Sequence, residues 1–303
     1  MRDEDIVQQV TALVLERLRP VWQDELRRDF AALTHQHDIS DDHSCFECGG
    51  RGECERRRPV TVRRILDAGA CRVAARYPSG PVADDLAPCI DHTLLRPEAT
   101  YAQVTQLCRE AAEFHFASVC LNPVHVAGAR ALLAGSGVAV CTVVGFPLGA
   151  NTTEVKVLET RQAVEAGASE IDMVIHVGAL KSGDFAAVES DIRKVADACG
   201  PQVLLKVILE AALLNDEEKV QACILAKAAG ADFVKTSTGF GPGGATIGDV
   251  ELMRRVVGLD LGVKAAGGIR DRDTAERMIR AGADRVGASA SVKIMRERDT
   301  SRT

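Results

Sequence analysis

Lys206, Lys235 and Lys264 recur at a constant spacing of 29 residues, each inside an apolar, β-branched run: VLLKVIL, ADFVKTST and LGVKAAGG. Lysine is strongly hydrated and seldom buried without a purpose. Three amines aimed at one place repel one another, so one of them gives up its proton more readily. A neutral amine is a nucleophile for a carbonyl carbon. Asp172 in SEIDMVIHV and Asp91 in CIDHTLL lie in similar runs and offer carboxylates for moving protons. The plain alternative is that each lysine snorkels to solvent or pairs with an acid such as Glu210. For a single lysine the two readings are evenly matched. For three in register, with two aspartates in the same ring, the chemical reading is the stronger.

The elements that must position these residues are legible from residue 60 onward. Apolar runs alternate with amphipathic segments at 152–166, 184–199, 216–229 and 271–281, the length of crossover helices. Gly-Ala punctuation precedes three runs, AGASEIDMV, AGADFVK and AGADRVG, as a helix stop followed by a buried strand. Strands apolar on both faces imply a parallel sheet. Eight strand–helix units fit an α/β chain folded as a (β/α)8 TIM barrel. A doubly wound open sheet is the rival, and no GxGxxG after the first strand supports it. Barrel sites lie at the C-terminal strand ends. In chain order those ends are read as Asp91, Cys120, Gly145, Asp172, Lys206, Lys235, Lys264 and the turn from Gly287 to Ser289.

The 303 residues carry 43 acidic and 37 basic side chains, net −6, which argues against nucleic acid as the main partner. No stretch approaches the roughly 20 apolar residues of a membrane span, and the acidic start MRDEDIVQQV is unlike a secretory signal. Cys89, Cys108, Cys120, Cys141, Cys199 and Cys223 stand singly in apolar or helical stretches and read as reduced core thiols of a cytoplasmic protein. Three regions follow: 1–33, with an amphipathic helix at 3–19; 34–59, polar and rich in Cys and His; and 60–303, the barrel.

The stretches IDHTLL (90–95), VCLNP (119–123), TVVGFPLG (142–149), EIDMVI (170–175), LLKVILE (204–210), ADFVKTSTGF (231–240), VKAAGGIR (263–270) and RVGAS (285–289) resemble, in order, the motifs of the deoxyribose-phosphate aldolase family. The resemblance covers about two thirds of the chain and implies a class I aldolase on a (β/α)8 barrel. It assigns the Schiff-base amine to Lys235, the second active-site lysine to Lys264 and the acid/base aspartate to Asp172. Lys264 is the cationic neighbour of Lys235 and the partner of Asp172. Lys206, Asp91 and Thr93 become supporting residues, and Cys120 a thiol lining the pocket that serves equally as a small core residue. The substrates implied are a small phosphorylated sugar and an aldehyde, with no cofactor for catalysis. The phosphate is assigned to Thr238, Gly239, Gly267, Gly268, Gly287 and Ser289, because barrels commonly bind phosphate after strands 7 and 8. Departures from the family pattern are Phe240 where some relatives carry lysine, Ala290 where many carry a second serine, Ala211 for threonine, and His176 for a common asparagine beside the site. Those at 240 and 290 thin the polar contacts around a phosphate.

The N-terminal extension lies outside that resemblance. The helix at 3–19 is similar to encapsulation peptides that dock enzymes in bacterial microcompartments, which would make a shell protein a partner. An ordinary helix packing on the barrel, or on another subunit of a homo-oligomer, explains the same stripe. Cys45, Cys48 and Cys54, with Cys71 and upstream His35, His37 and His43, form a candidate structural zinc or iron–sulfur site; unliganded thiols are the alternative. Two other functions compete with the aldolase reading: the same chemistry on a different aldehyde, and a barrel-based metal-binding sensor.

Overall fold

The structure, a computed structural model, describes residues 86–297. Eight strands pair in parallel, each with the next, and the last returns to the first, so the sheet closes into a barrel. They are β1 (Ile90–Leu94), β2 (Ser118–Leu121), β3 (Ala139–Val144), β4 (Glu170–Val174), β5 (Leu204–Ile208), β6 (Phe233–Lys235), β7 (Gly262–Ala266) and β8 (Arg285–Ala288). Helices fill the crossovers, among them α1 (Tyr101–Phe114), α2 (Val126–Leu132), α3 (Thr153–Glu165), α4 (Val177–Lys181) and α5 (Phe185–Cys199). Then come α6 (Asp216–Ala228), α7 (Ile247–Val257), α8 (Arg272–Arg280) and α9 (Ser291–Arg296). The closed barrel excludes the open-sheet alternative, and the four expected crossover helices begin and end within a residue or so of their sequence bounds. The extension, with the helix at 3–19 and Cys45, Cys48, Cys54 and Cys71, lies outside the described residues.

Local chemistry sets these boundaries. Thr100 and Gln103 form a capping box at the start of α1, and Asn215 and Glu218 another at the start of α6. Each satisfies backbone N–H groups that the first helical turn leaves unpaired. The three Gly-Ala signals end helices as expected. Gly167, Gly230 and Gly282 follow α3, α6 and α8 with φ of 100°, 88° and 114°, where a side chain is strained. The residue after each glycine then leads into the next strand.

The principal core packs the outer faces of the strands against the helices. Val119, Ile171, Val207, Val234, Val263 and Val286 are fully buried there. Inside the barrel the packing is different. Phe233 lies two residues before Lys235, and Gly262 two before Lys264, so each pair shares an inward face. Phe233 and Gly262 are register partners, and a Cβ on Gly262 would sit 2.1 Å from the Phe233 ring. The glycine makes room for the ring, which fills the barrel beneath the two lysines.

Cys108, Cys120, Cys141, Cys199 and Cys223 are buried and outside any disulfide, as expected. Cys89 is a correction, because it is disulfide-bonded. It sits in the short 3-10 turn before β1 rather than within the wall, and its apolar neighbours in the sequence gave no hint of a partner.

Gly262→Ala should overpack the barrel beneath the amines and cost about 1–3 kcal/mol. A urea melt should show the lowered midpoint, and the displaced Phe233 ring should reduce any activity that uses Lys235.

Candidate active site

All three lysines point into the barrel instead of out to its surface. Lys206 and Lys264 are fully buried and Lys235 is 2% exposed, so the snorkelling alternative fails. Lys235 and Lys264 are register partners on β6 and β7, whereas Lys206 pairs with Asp172 and Phe233, one layer deeper. The expected single ring of strand ends is therefore a stack. Lys235 ends β6, Gly145 follows β3 and the Gly287–Ser289 turn spans the end of β8, but Asp91, Cys120, Asp172, Lys206 and Lys264 lie within their strands.

Asp172 is the hub. Its Oδ2 accepts from Lys235 Nζ at 2.8 Å and from Lys264 Nζ at 2.7 Å, while its Oδ1 accepts from Lys206 Nζ at 2.9 Å. Lys264 also meets Asp91 Oδ2 at 2.5 Å, and Lys206 meets Glu170 Oε2 at 2.6 Å. Arg285 on β8 joins the two outer acids. Its Nη1 donates to Asp91 in a short contact, and its Nη2 to Glu170 Oε1 at 3.1 Å. Asp172, Lys206, Glu170, Arg285, Asp91 and Lys264 thus close a ring of alternating charge, with Lys235 as a branch from Asp172.

Mutual repulsion of the lysines is overridden by these carboxylates. Burial opposes the charge of Asp172, but Lys206, Lys235 and Lys264 outweigh it and hold its carboxyl well below the usual range. Burial likewise opposes Asp91, and Lys264 and Arg285 pull its carboxyl far down. Burial also works against the cations of Lys206 and Lys264, yet Asp172 and the flanking acids keep both protonated well above the ordinary lysine value. Lys264 is thus the expected fixed cation.

A cavity of about 740 Å³ opens at the C-terminal mouth of the barrel. Of the three lysines, Lys235 alone lines it, and Thr93 lines it from β1. The residues expected to bind phosphate, Thr238, Gly239, Gly267, Gly268, Gly287 and Ser289, line the same cavity. The Thr238 hydroxyl is already engaged, donating to the buried Glu210 carboxylate and accepting from Phe240 N–H at 3.1 Å. Glu210 therefore braces this loop instead of pairing with a lysine. Arg96 and Arg270 also reach the cavity and supply positive charge at its rim.

Cys120 and Cys141 are register partners inside the barrel, packed with Leu95 and Val143. Cys141 Sγ lies 3.2 Å from Asp172 Oδ1. A hydrogen bond from Cys141 lowers the Cys120 thiol against the effect of burial, while burial pushes Cys141 well up. His176, exposed two residues beyond the end of β4, caps the start of α4 by accepting from Ala179 N–H at 3.1 Å. Sequence reasoning missed Arg285, Glu170 and Cys141. Their available signal was alternation: Glu170 stands two before Asp172 and Arg285 two before Gly287, on the same inward faces.

The profile of the DeoC/LacD family aldolases matches residues 86–297. The chain belongs to this family. Over 209 residues, 69% of this chain and 93% of the relative, it is 59% identical to the deoxyribose-phosphate aldolase of Clostridium perfringens. The corresponding enzyme of a Geobacillus species is 59% identical over 212 residues, covering 70% and 95% of the two chains. Among solved structures, the tetrameric deoxyribose phosphate aldolase of Aeropyrum pernix superposes with a TM-score of 0.66 at 38% identity. It covers 77% of this chain and 96% of its own. The matched segment of this DeoC/LacD aldolase is the barrel with its charged interior.

The lowered carboxyls of Asp172 and Asp91 contribute stability that is present above the unfolded value of about 3.9 and lost as pH falls through their lower folded values. Asp172→Asn removes the carboxylate that three buried lysines share, and should cost about 3–5 kcal/mol at neutral pH. In urea titrations the gap from wild type should narrow below about pH 4, where the Asp172 carboxyl of the unfolded wild-type chain takes up a proton that the folded chain still refuses.

Proposed function

We propose that this aldolase reversibly cleaves 2-deoxy-D-ribose 5-phosphate to D-glyceraldehyde 3-phosphate and acetaldehyde, through a Schiff base on Lys235. One observation carries the assignment: of the three buried lysines, Lys235 alone lines the cavity. Lys206 and Lys264 are each held by two carboxylates; Lys235 has Asp172 alone among the described residues. The relatives at 59% identity carry the name of this activity over nearly their whole length.

The neutral amine of Lys235 attacks the aldehyde carbon of the open-chain sugar, and loss of water leaves an iminium. That cation is an electron sink. Removal of the 3-hydroxyl proton then sends the electrons of the adjacent carbon–carbon bond into it. Glyceraldehyde 3-phosphate leaves, and the enamine that remains is protonated and hydrolysed to acetaldehyde. Asp172 bridges Lys235 and Lys264 on one oxygen and so connects the reacting nitrogen to a protonated neighbour. Water on that oxygen carries protons to and from the substrate. The loops after β7 and β8, with Gly267, Gly268, Gly287 and Ser289, offer backbone to the phosphate, and Arg270 adds charge.

A second specificity has its own support. Phe240 lines the cavity, is 51% exposed and meets Phe146 edge-on at 5.4 Å between ring centroids. This apolar rim favours unphosphorylated or longer aldehydes passing over it. A homo-oligomer, as in the tetrameric relative, docking of the 3–19 helix to a microcompartment shell, and a structural metal at Cys45, Cys48 and Cys54 complete the proposal. Among the described residues no helix is long and apolar enough to cross a membrane. A cytoplasmic location belongs to the same proposal and rests on the reduced thiols of Cys108, Cys120, Cys141 and Cys223.

Incubation with acetaldehyde and borohydride should add about 28 Da, one reduced two-carbon imine. Peptide mapping should put it on Lys235, and Lys235→Leu should abolish it; an adduct retained on another lysine overturns the assignment. Comparing kcat/KM for deoxyribose and its 5-phosphate separates the two specificities. A ratio above about tenfold in favour of the phosphate supports the first, and equal turnover the second.

A further inference from the structure

The interior of a (β/α)8 barrel is ordinarily filled by layers of branched apolar side chains. Here every strand turns a titratable group inward: Asp91 from β1, Cys120 from β2, Cys141 from β3, Glu170 and Asp172 from β4, Lys206 from β5, Lys235 from β6, Lys264 from β7 and Arg285 from β8. Packing does not explain this, because buried ion pairs seldom outperform apolar residues of the same volume. The closed ring also holds equal numbers of each sign. Asp91, Glu170 and Asp172 are its three anions; Lys206, Lys264 and Arg285 are its three cations. The two thiols add no charge while protonated. Lys235 is the seventh ionisable group and hangs outside the ring by its single bond to Asp172.

We propose that Glu170 and Arg285 are positioning residues that, by completing a charge-neutral ring, set the pH at which Lys235 is available as a free amine. With the ring balanced, a proton on Lys235 adds a charge that no ring member is left to balance, and the ring with its branch is neutral only when that amine is neutral. Charges buried together act on one another beyond contact distance, so Arg285 reaches Lys235 without touching it. Geometry adds a second role. Arg285 ties Asp91 to Glu170, each of which holds one lysine, so the pair fixes the orientation in which Lys264 and Lys206 meet Asp172. This inference rests on the Schiff-base role of Lys235 proposed above.

The test measures the initial rate of acetaldehyde trapping by cyanoborohydride on the full-length protein against pH, read as adduct mass at Lys235. The half-maximal pH then reports when the amine becomes free. Arg285→Met leaves three anions facing two ring cations, so Lys235 should keep its proton longer and the midpoint should rise by about one pH unit or more. Glu170→Gln leaves a surplus cation, and the midpoint should fall. The double variant restores balance and should return to within about half a unit of wild type. A merely structural pair would lower the rate or the folded fraction at every pH and leave the midpoint in place. Shifts of the same sign in both single variants, or no shift, overturn the proposal. Should a single variant not fold, Lys206→Met removes a ring cation from another strand and must raise the midpoint as Arg285→Met does. Should that fail too, the balanced double variant decides, and a midpoint displaced by more than about one unit counts against the ring. Absence of any wild-type adduct on Lys235 would remove the underlying reading instead, so the two failures are distinguishable.

Discussion

Three lysine side chains share the carboxylate of Asp172, and that sharing constrains the rest of the barrel interior. A carboxylate so placed stays ionised despite complete burial, because the three cations outweigh the loss of hydration. The cations in turn need further anions, which Asp91 and Glu170 supply, and those two acids need Arg285. Each charge is tolerable only because the next one is present. The interior is consequently a single electrostatic unit rather than a set of separate contacts, and single substitutions within it are not expected to act independently.

This arrangement separates two jobs that lysine can do. Lys206 and Lys264 each touch two carboxylates and keep their protons, so they serve as fixed positive charge. Lys235 touches one and faces the cavity. Chemically similar side chains on neighbouring strands are thus divided by their number of acidic partners and by access to the mouth. Phe233, seated on Gly262, supports the inner layer below them. The cavity rim adds a second division. Glycine-rich turns and Arg270 lie toward β7 and β8, and the Phe146–Phe240 pair provides an apolar edge. One end of a substrate can meet charge while another passes over aromatic surface.

The loop after β6 shows how a binding element is braced from behind. Glu210 adopts a left-handed backbone with φ of 54°, and its buried carboxylate takes the Thr238 hydroxyl. Backbone strain of this kind persists only where its surroundings enforce it. Thr238 is therefore held by an anion instead of being free to donate to one, which leaves the nearby backbone groups and Arg270 as the anion-facing part of the cavity.

Much was determined by the sequence alone. The Gly-Ala stops and the eight alternating runs follow local rules of backbone conformation and hydrophobic period, and these marked the barrel. The 29-residue spacing of Lys206, Lys235 and Lys264 marked the chemistry. Tertiary structure decided the rest. A strand buried on both faces carries little polar–apolar contrast, so the two-residue step from Glu170 to Asp172 and from Arg285 to Gly287 is a weak sign of the inward face and does not say which side chains meet. Arg285 and Glu170 consequently drew no reading from the sequence. The stagger of a closed barrel is a property of all eight pairings at once, and it is this stagger that places Lys206 a layer below Lys235. Which amine meets the cavity, and which charges close the ring behind it, could emerge only when the last strand paired with the first.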